Sequence, residues 1–227
     1  QTALEIDDEN IEIIVSDNFS KDETKAVVEK FSDSRLKYLC THKRVSMREN
    51  FNSAALKSTG DYIIFFGDDD GILPGQFKYL RRILEEHRPD GISWLKSSYI
   101  WPKDEFGSEF GGKRAGKNRF YGTRTFGTPV MYDPRDSFLD SLMKCNLKSF
   151  TSVTPNIYHG CVSRAFLEKN ASEKNVFFDS TIPDANFRFR AIMLGGNFIH
   201  LDHPFSINGD SAVSNGRAHN GYSTNDP

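Results

Sequence analysis

The feature that most limits how this chain can fold is an apolar segment that ends abruptly in three carboxylates. Residues 61–66 read Asp-Tyr-Ile-Ile-Phe-Phe and run through Gly67 into Asp68, Asp69 and Asp70. An apolar run bounded by turn residues predicts a buried strand, so the triplet stands where that strand leaves the core. Adjacent like charges repel one another unless a cation neutralises them. A solvated turn is the alternative interpretation.

Strand and helix signals alternate over residues 1–100. Capping-box spacing at Ser20–Glu23 and at Ser46–Glu49 predicts two helix starts. We predict strands at 11–15, 36–40, 61–66 and 91–95, and helices at 20–31, from 46 onward and at 74–87. This alternation predicts an α/β fold with a mainly parallel sheet flanked by helices.

The second half of the chain is less regular. We predict a long loop at 102–128, helices at 133–144, 164–170 and 183–194, strands at 156–162 and 197–201, and an irregular tail over the last 25 residues. The loop carries a basic cluster within 113–124: Lys113, Arg114, Lys117, Arg119 and Arg124. Such a cluster is usually solvated, and contact with an anionic acceptor or with lipid headgroups is the alternative.

Composition excludes some classes of function. The chain has 227 residues and a formal net charge of −2, so it lacks the overall positive field that recruits nucleic acid. The sequence shows no apolar run of about 20 residues, the length that a transmembrane helix needs. Cys40, Cys145 and Cys161 have no metal-binding spacing, and we predict buried thiols in a reducing compartment.

The position of the acidic triplet suggests a metal. Open α/β sheets bind ligands at the carboxyl ends of their strands, which is where Asp68, Asp69 and Asp70 are predicted to lie. Carboxylate oxygens suit Mg²⁺ or Mn²⁺, and diphosphate oxygens can complete the coordination. We therefore expect a divalent ion at this edge of the sheet.

The motifs in combination resemble family 2 glycosyltransferases, which have the GT-A fold. The segment 62–74 resembles their DXD region, Ile13-Ile-Val-Ser-Asp17-Asn18 resembles their nucleotide-binding strand, and 48–54 resembles the Arg-Asn helix that precedes the DXD strand. The likeness is good over 11–90 and patchy to about 215. It departs at Gly67, where many members carry the first Asp of the motif.

The resemblance implies site residues and partners. It implies that Asp17, Arg48 and Asp68 contact a nucleotide diphosphate-sugar donor and that Asp69 and Asp70 hold Mn²⁺ or Mg²⁺. His203 is a further candidate metal ligand, and His159 a candidate on the acceptor side. The alternatives are a turn cap for Asp17, a surface ion pair for Arg48 and structural roles for the histidines.

An inverting sugar transfer needs a carboxylate base, which the family places at the start of a helix that ends in Gly. Residues 182–195 match that layout, with Pro183 in place of the usual Glu, so Asp184 is the candidate base. A helix-start Asp favoured by the helix dipole is the alternative. Residues 208–214 are similar to the family's C-terminal loop, which folds over the donor.

The family comparison also predicts organisation and setting. We expect one GT-A domain over 1–227 that lacks its first strand and helix, with a nucleotide-sugar-binding half at 1–100 and an acceptor-binding half at 101–227. The expected acceptor is a carbohydrate or glycoconjugate of surface polysaccharide synthesis. The expected location is cytoplasmic, with peripheral association at the inner face of the membrane as an option. The rival functions are a sugar nucleotidyltransferase and a non-catalytic binding module derived from a transferase.

Overall fold

The structure, a computed structural model, describes residues 1–101, 119–122, 127–145 and 154–210. The strands are β1 (Ile13–Asp17), β2 (Leu36–Cys40), β3 (Tyr62–Ile63), β4 (Gly71–Ile72), β5 (Gly91–Trp94), β6 (Ser97–Ile100), β7 (Arg119–Tyr121), β8 (Val130–Tyr132), β9 (Gly160–Ser163), β10 (Phe198–Leu201) and β11 (Ser206–Asp210). The helices are α1 (Thr24–Val28), α2 (Met47–Lys57), α3 (Phe77–His87), α4 (Pro134–Met143), α5 (Arg164–Lys169) and α6 (Pro183–Leu194). Short 3-10 helices cover Thr2–Glu5 and Pro74–Gln76.

The described strands form three sheets. The central sheet has the order β3-β9-β5-β10-β8, a second has the order β4-β11-β6-β7, and β1 pairs with β2 alone. The pairs β1/β2, β5/β10 and β6/β11 are parallel, whereas β9 runs antiparallel to both β3 and β5. The predicted α/β class is confirmed, and the strand pairing is more mixed than the sequence indicated.

Helices cover both faces of the central sheet. On one face, α2, α5 and α6 enclose an apolar cluster with Phe166, Phe178, Phe187 and Phe198 at its centre. On the other face, α3 packs Leu80 and Ile83 against Trp94, Ile199 and Phe205 of the sheet region. Adjacent residues of one strand serve opposite faces, as the pleat requires: Cys161 of β9 joins the second cluster and Val162 the first.

Several local predictions are confirmed. Ser46 caps α2 in a complete capping box with Glu49, and the Asp133 side chain accepts hydrogen bonds from the first turn of α4. The helix at 183–194 ends at Gly195, which has a φ of 66°, a left-handed conformation that favours glycine.

Other local predictions are wrong. The helix expected from Ser20 covers only Thr24–Val28, because the backbone N–H of Ser20 donates to the Asp17 carboxylate instead of starting a helix. The tail expected to be irregular contains β11, which bonds to β4 and β6. Cys40 and Cys145 are exposed rather than buried, since Cys40 lies at an outward position of β2 and Cys145 follows the last turn of α4.

Two predictions concern residues that are largely outside this description. The basic cluster at 113–124 lies outside the described residues except for 119–122, and so do residues 211–214 of the predicted C-terminal loop. None of the described helices combines the length and the apolarity that crossing a bilayer requires.

Glu12 fastens the β1/β2 pair to the rest of the domain. Its carboxylate accepts from the backbone N–H of Gly60 at 3.0 Å and from that of Thr59, and it forms an ion pair of 2.6 Å with Lys37. Burial alone would raise the pKa of Glu12, but these hydrogen bonds lower it to about 2. The charged form of Glu12 therefore stabilises the fold.

We predict that Glu12→Gln lowers the free energy of unfolding at neutral pH by about 2 kcal/mol, a figure reduced for solvent screening. The folded-state pKa lies below the ordinary value of 4.5, so the stabilisation is complete above that value and is lost as the pH falls towards 2. Urea unfolding at neutral pH and at a pH between 4.5 and 2 should therefore show a difference between wild type and variant that shrinks on acidification. Glu86→Gln, at an exposed position of α3, is the control and should show no such difference.

Candidate active site

The Asp70 carboxylate closes the loop that carries the acidic triplet. Its Oδ2 accepts from the backbone N–H of Gly67 at 2.9 Å, and its Oδ1 accepts from that of Gly209 at 2.9 Å. Only 5% of the Asp70 side chain is exposed. Charged acceptors make the stronger hydrogen bonds to backbone N–H groups, so these contacts fix the loop between β3 and β4 against β11.

Two glycines make this closure sterically feasible. A Cβ on Gly209 would lie 1.7 Å from the carbonyl oxygen of Asp69, and a Cβ on Gly67 would lie 2.9 Å from Oδ1 of Asp69 and 3.1 Å from Oδ2 of Asp70. The carboxylates of Asp69 and Asp70 are thus both folded over Gly67. A side chain at position 67 would therefore require the carboxylates of Asp69 and Asp70 to move.

A buried polar chain supports Asp70 from below. Nε2 of His159 lies 3.6 Å from Oδ1 of Asp70, and Nδ1 of His159 lies 2.8 Å from the Ser206 hydroxyl, which accepts from the indole N–H of Trp94 at 2.8 Å. Burial lowers the pKa of His159 to about 4, against the opposing effect of the Asp70 charge. The imidazole is therefore neutral near pH 7.

The first turn of α6 brings Asp184 towards the triplet. Burial raises the pKa of Tyr158, and the charges of Asp70, Asp184, Asp69 and Asp68 raise it further. All four carboxylates therefore lie within electrostatic range of one phenol.

Two cations that the sequence analysis did not single out lie in the same region. Lys96 follows β5, and its Nζ donates to Oδ1 of Asn208 at 2.7 Å. Crowding by protein atoms lowers the pKa of Lys96 although its side chain reaches solvent; the charges of Asp70 and Asp184 act in the opposite direction, and that of Arg188 in the same one. Arg188 is one helical turn after Asp184, and this spacing could have identified it from the sequence.

Asp17 lies at the end of β1, as predicted, and is buried. Its carboxylate accepts from the backbone N–H of Ser20 at 2.7 Å and from the Tyr38 hydroxyl. Burial alone would raise the pKa of Asp17, but these hydrogen bonds hold it below its ordinary value. The contacts are those of the turn-capping alternative, and a contact with donor stays a prediction.

The polar side chains of α2 form hydrogen bonds that join separate segments of the chain. Asn50 exchanges hydrogen bonds with Ser16 of β1, through the hydroxyl and the carbonyl. Asn52 accepts from the backbone N–H groups of Phe177 and Phe178 and donates to the Phe178 carbonyl at 2.6 Å. The helix thus joins the β1 strand to the segment that leads into α6.

Arg48 also joins α2 to another segment of the chain. It is exposed, and its Nη1 donates to the carbonyl of Asp179 at 3.3 Å, four residues before α6 begins at Pro183. Through this contact Arg48 holds the segment before α6, the helix that carries Asp184. A contact of Arg48 with donor phosphate stays a prediction.

His203, a predicted metal ligand, has other neighbours. Its Nε2 lies 3.0 Å from Oε1 of Gln76, and its ring packs edge-on against Tyr79 and beside Phe205. Burial lowers the pKa of His203. These contacts are those of packing against α3, and a role of His203 as a metal ligand stays a prediction.

Within the described ranges, no three His, Cys, Asp or Glu side chains converge on a position that could hold a metal. Mg²⁺ is commonly held by one or two carboxylates, with waters and substrate phosphates completing its shell. Asp69 and Asp70, both folded over Gly67, provide carboxylates of that kind. A donor set completed by diphosphate fits this arrangement, and a cage built from protein side chains alone does not.

The profile of glycosyl transferase family 2 matches residues 1–139, more than half of the chain. This range contains the acidic triplet and the hydrogen-bonding polar residues of α2, and it ends before Asp184.

Individual relatives are also glycosyltransferases. A GalNAc(5)-diNAcBac-PP-undecaprenol beta-1,3-glucosyltransferase of Campylobacter jejuni is 31% identical over 111 residues, which are 47% of this chain and 35% of that protein. The crystal structure of S. aureus TarS 1–349 in complex with UDP-GlcNAc aligns with a TM-score of 0.63 and 17% identity, over 94% of this chain and 54% of that one. The same TarS fragment with UDP aligns with a TM-score of 0.60.

The TarS likeness concerns the fold, and it supports the GT-A architecture. The chain spans about a third of the length of the Campylobacter relative and about half of the TarS fragment.

We predict that Gly209→Ala disrupts the triplet loop, because the added methyl group would overlap the Asp69 carbonyl. The free energy of unfolding should fall by about 1–3 kcal/mol, as overpacking typically costs. Gly75→Ala is the matched control, since nothing lies within 4 Å of the added Cβ, and its effect should stay within about 0.5 kcal/mol. Equal unfolding curves for the two variants would contradict the observed approach of β11 to Asp69.

Proposed function

The chain belongs to glycosyl transferase family 2, and on that premise we propose that it transfers a sugar, with inversion, from a nucleotide diphosphate-sugar to a hydroxyl of a glycoconjugate. The observation that supports the proposal is that Asp70, whose carboxylate binds Gly67 and Gly209, and Asp68, Asp69 and Asp184 all act electrostatically on the Tyr158 phenol. A transferase of this kind needs acidic groups beside the donor diphosphate and a separate carboxylate for the acceptor.

The acceptor side of the mechanism rests on Asp184. An acceptor hydroxyl attacks the anomeric carbon on the face opposite the leaving nucleoside diphosphate. The carboxylate of Asp184 accepts the hydroxyl proton as the new glycosidic bond forms and the bond to the diphosphate breaks. Pro183 begins α6, and the ties of Asn52 and Arg48 to residues 177–179 hold the segment before it. These contacts hold the start of α6, and with it the proposed base Asp184, in a fixed position.

The donor side of the mechanism rests on the triplet. Asp68 is exposed and is proposed to face the ribose of the donor. Asp69 and Asp70 are the proposed ligands of Mn²⁺ or Mg²⁺; His203 is left out because Gln76 and Tyr79 occupy its surroundings. Each Asp70 oxygen keeps acceptor capacity beyond its one N–H contact. When bound, the ion offsets the negative charge that develops on the departing diphosphate.

The proposed acceptor is a lipid-linked glycoconjugate. The Campylobacter relative is named for an undecaprenol diphosphate-linked substrate, and its similarity to this chain motivates the assignment. A polyprenyl diphosphate is anchored in a bilayer, so the proposal includes action at the cytoplasmic face of the membrane. The proposal does not specify the donor sugar, the nucleobase of the donor or the glycosidic linkage.

The experiment that tests the donor and the metal is a thermal-shift screen of nucleotide sugars with and without Mn²⁺. The true donor should raise the melting temperature in the presence of Mn²⁺, because a ligand that binds only the folded state stabilises it. Asp69→Asn should abolish the Mn²⁺-dependent part of that shift. If no nucleotide sugar stabilises the wild type, the transferase proposal fails; if Asp69→Asn retains the full shift, the metal assignment fails.

Release of the nucleoside diphosphate tests the base. We predict that Asp184→Asn lowers turnover at least about 100-fold, the usual contribution of a general base, while donor binding is unchanged. Asp136→Asn is the matched control, since Asp136 is exposed in the first turn of α4, which also begins with a proline. Release of diphosphate instead of nucleoside diphosphate would indicate a nucleotidyltransferase.

A further inference from the structure

We propose that an aromatic strip beside the acidic triplet binds the carbohydrate chain of the acceptor. The strip consists of Tyr99 in β6, Trp101 directly after that strand, and Phe120 in β7. The inference rests on the proposed function, because it assigns an acceptor subsite to that transferase. It adds three residues that the sequence analysis did not single out.

Trp101 is held against the loop of the acidic triplet. Its indole N–H donates to the main-chain carbonyl of Asp69 at 3.0 Å, and its backbone N–H donates to the carbonyl of Asp210 in β11 at 3.2 Å. Despite both contacts, 46% of the residue is exposed. The indole is therefore fixed in position while much of its surface is open to solvent, so a ligand that packs on it has little further ordering to bring about.

The strip and the triplet loop share one face of the sheet, as Gly209 shows. Gly209 is the partner of Tyr99 in the parallel pairing of β11 with β6, so positions 209 and 99 are directed to the same face. A Cβ on Gly209 would lie 1.7 Å from the Asp69 carbonyl oxygen and 2.9 Å from the indole nitrogen of Trp101. The triplet loop, the indole and Tyr99 therefore all lie on this face.

Tyr99 and Phe120 extend the strip away from the triplet. The rings of Tyr99 and Trp101 meet edge to face, with their centroids 5.0 Å apart. Phe120 is directly opposite Tyr99 in the antiparallel pairing of β6 with β7, which puts both side chains on one face with Cβ atoms about 5 Å apart. Phe120 is 58% exposed, and β7 is the outer strand in the order β4-β11-β6-β7. The strip thus runs from the triplet loop towards the edge of the sheet.

The chemistry of the strip suits a carbohydrate. The C–H groups on one side of a pyranose ring form an apolar surface that packs on the electron-rich face of an aromatic ring, while the hydroxyls stay in water. Trp and Tyr offer rigid contact area at a low cost in conformational entropy. Neighbouring exposed apolar side chains beside a functional site mark a binding surface rather than a part of the core.

The extent of the strip favours the acceptor over the donor. A nucleotide sugar carries its sugar next to the diphosphate, which is assigned to Asp69 and Asp70. The contact with the nucleotide is predicted at Asp17, which ends β1 in a separate sheet. Three aromatic side chains on neighbouring segments offer contacts to more than one sugar unit, which the saccharide chain of a glycoconjugate provides.

Tryptophan fluorescence tests the strip, because the chain has only two tryptophans, Trp94 and Trp101. Trp94 is 5% exposed, so acrylamide should quench mainly Trp101, and Trp101→Phe should remove the quenchable emission. At least one of cellobiose, lactose and diacetylchitobiose, at saturating concentration, should reduce the quenching about twofold, because a stacked pyranose covers part of the indole. Sorbitol, a polyol without a ring, is the control ligand and should leave the quenching unchanged.

Phe120→Leu keeps the fluorescent reporter and removes one ring of the strip. It should raise the saccharide concentration for half-maximal protection about threefold to tenfold, the range expected for the loss of an aromatic contact. Phe31→Leu, at a 39% exposed position after α1, is the matched control and should leave that concentration unchanged.

Three outcomes would overturn the assignment. The first is that none of the three disaccharides protects Trp101 more than sorbitol does. The second is equal half-maximal concentrations for wild type and Phe120→Leu, with or without a lowered melting temperature, which would make Phe120 structural. The third is protection of Trp101 by UDP or UDP-glucose with Mn²⁺ instead of by free saccharide, which would assign the strip to the donor.

The donor screen with Mn²⁺ is run separately on the same proteins. A wild type that shows the donor shift but no saccharide protection would remove the aromatic strip and keep the transferase proposal. Saccharide protection of Trp101 without a shift by any nucleotide sugar would keep a carbohydrate-binding strip and remove the transferase proposal.

Discussion

The contact on which the site depends is the pair of hydrogen bonds that the Asp70 carboxylate accepts from Gly67 and Gly209. It joins the end of the apolar β3 segment to β11, which lies about 140 residues later in the chain. β11 also supplies Ser206, which supports His159, and Asn208, which holds Lys96. One carboxylate therefore sets the positions of the triplet, the neutral imidazole below it and the cation beside it.

A second set of contacts holds the backbone just before α6, the helix that carries Asp184. The side-chain amide of Asn52 forms hydrogen bonds with the backbone of residues 177 and 178, as a neighbouring strand would. Arg48 donates to the next carbonyl, that of Asp179. Side-chain amides suit this task because each offers both an acceptor and donors to the main chain. The helix α2 thus connects β1 to the segment that leads into α6, which carries the candidate base.

The sequence predicted what is encoded locally and missed what depends on tertiary partners. The cap of α2 at Ser46 and the helix at 183–194 follow from short patterns and lie where those patterns placed them. The strand expected at 61–66 covers only Tyr62–Ile63, so the triplet lies in the loop before β4 rather than directly at a strand end. β11 was missed because Ser-Ile-Asn-Gly-Asp has little intrinsic strand preference, and only its pairing with β4 and β6 makes it a strand. His203 and His159 look alike in sequence; which of them faces Asp70 depends on the packing of α3 and β9, which the sequence does not reveal.

The structure also changes the argument for a cation at the triplet. From sequence, the repulsion among Asp68, Asp69 and Asp70 seemed to require one for all three. Asp70 already has two backbone donors and its neutral histidine, so its charge is stabilised within the protein. The divalent ion that we propose at Asp69 and Asp70 is then not needed to neutralise Asp70, and it would serve the donor diphosphate instead. Because such a partial site has few protein ligands, its affinity for metal should depend on the diphosphate that completes it, which couples metal binding to donor binding.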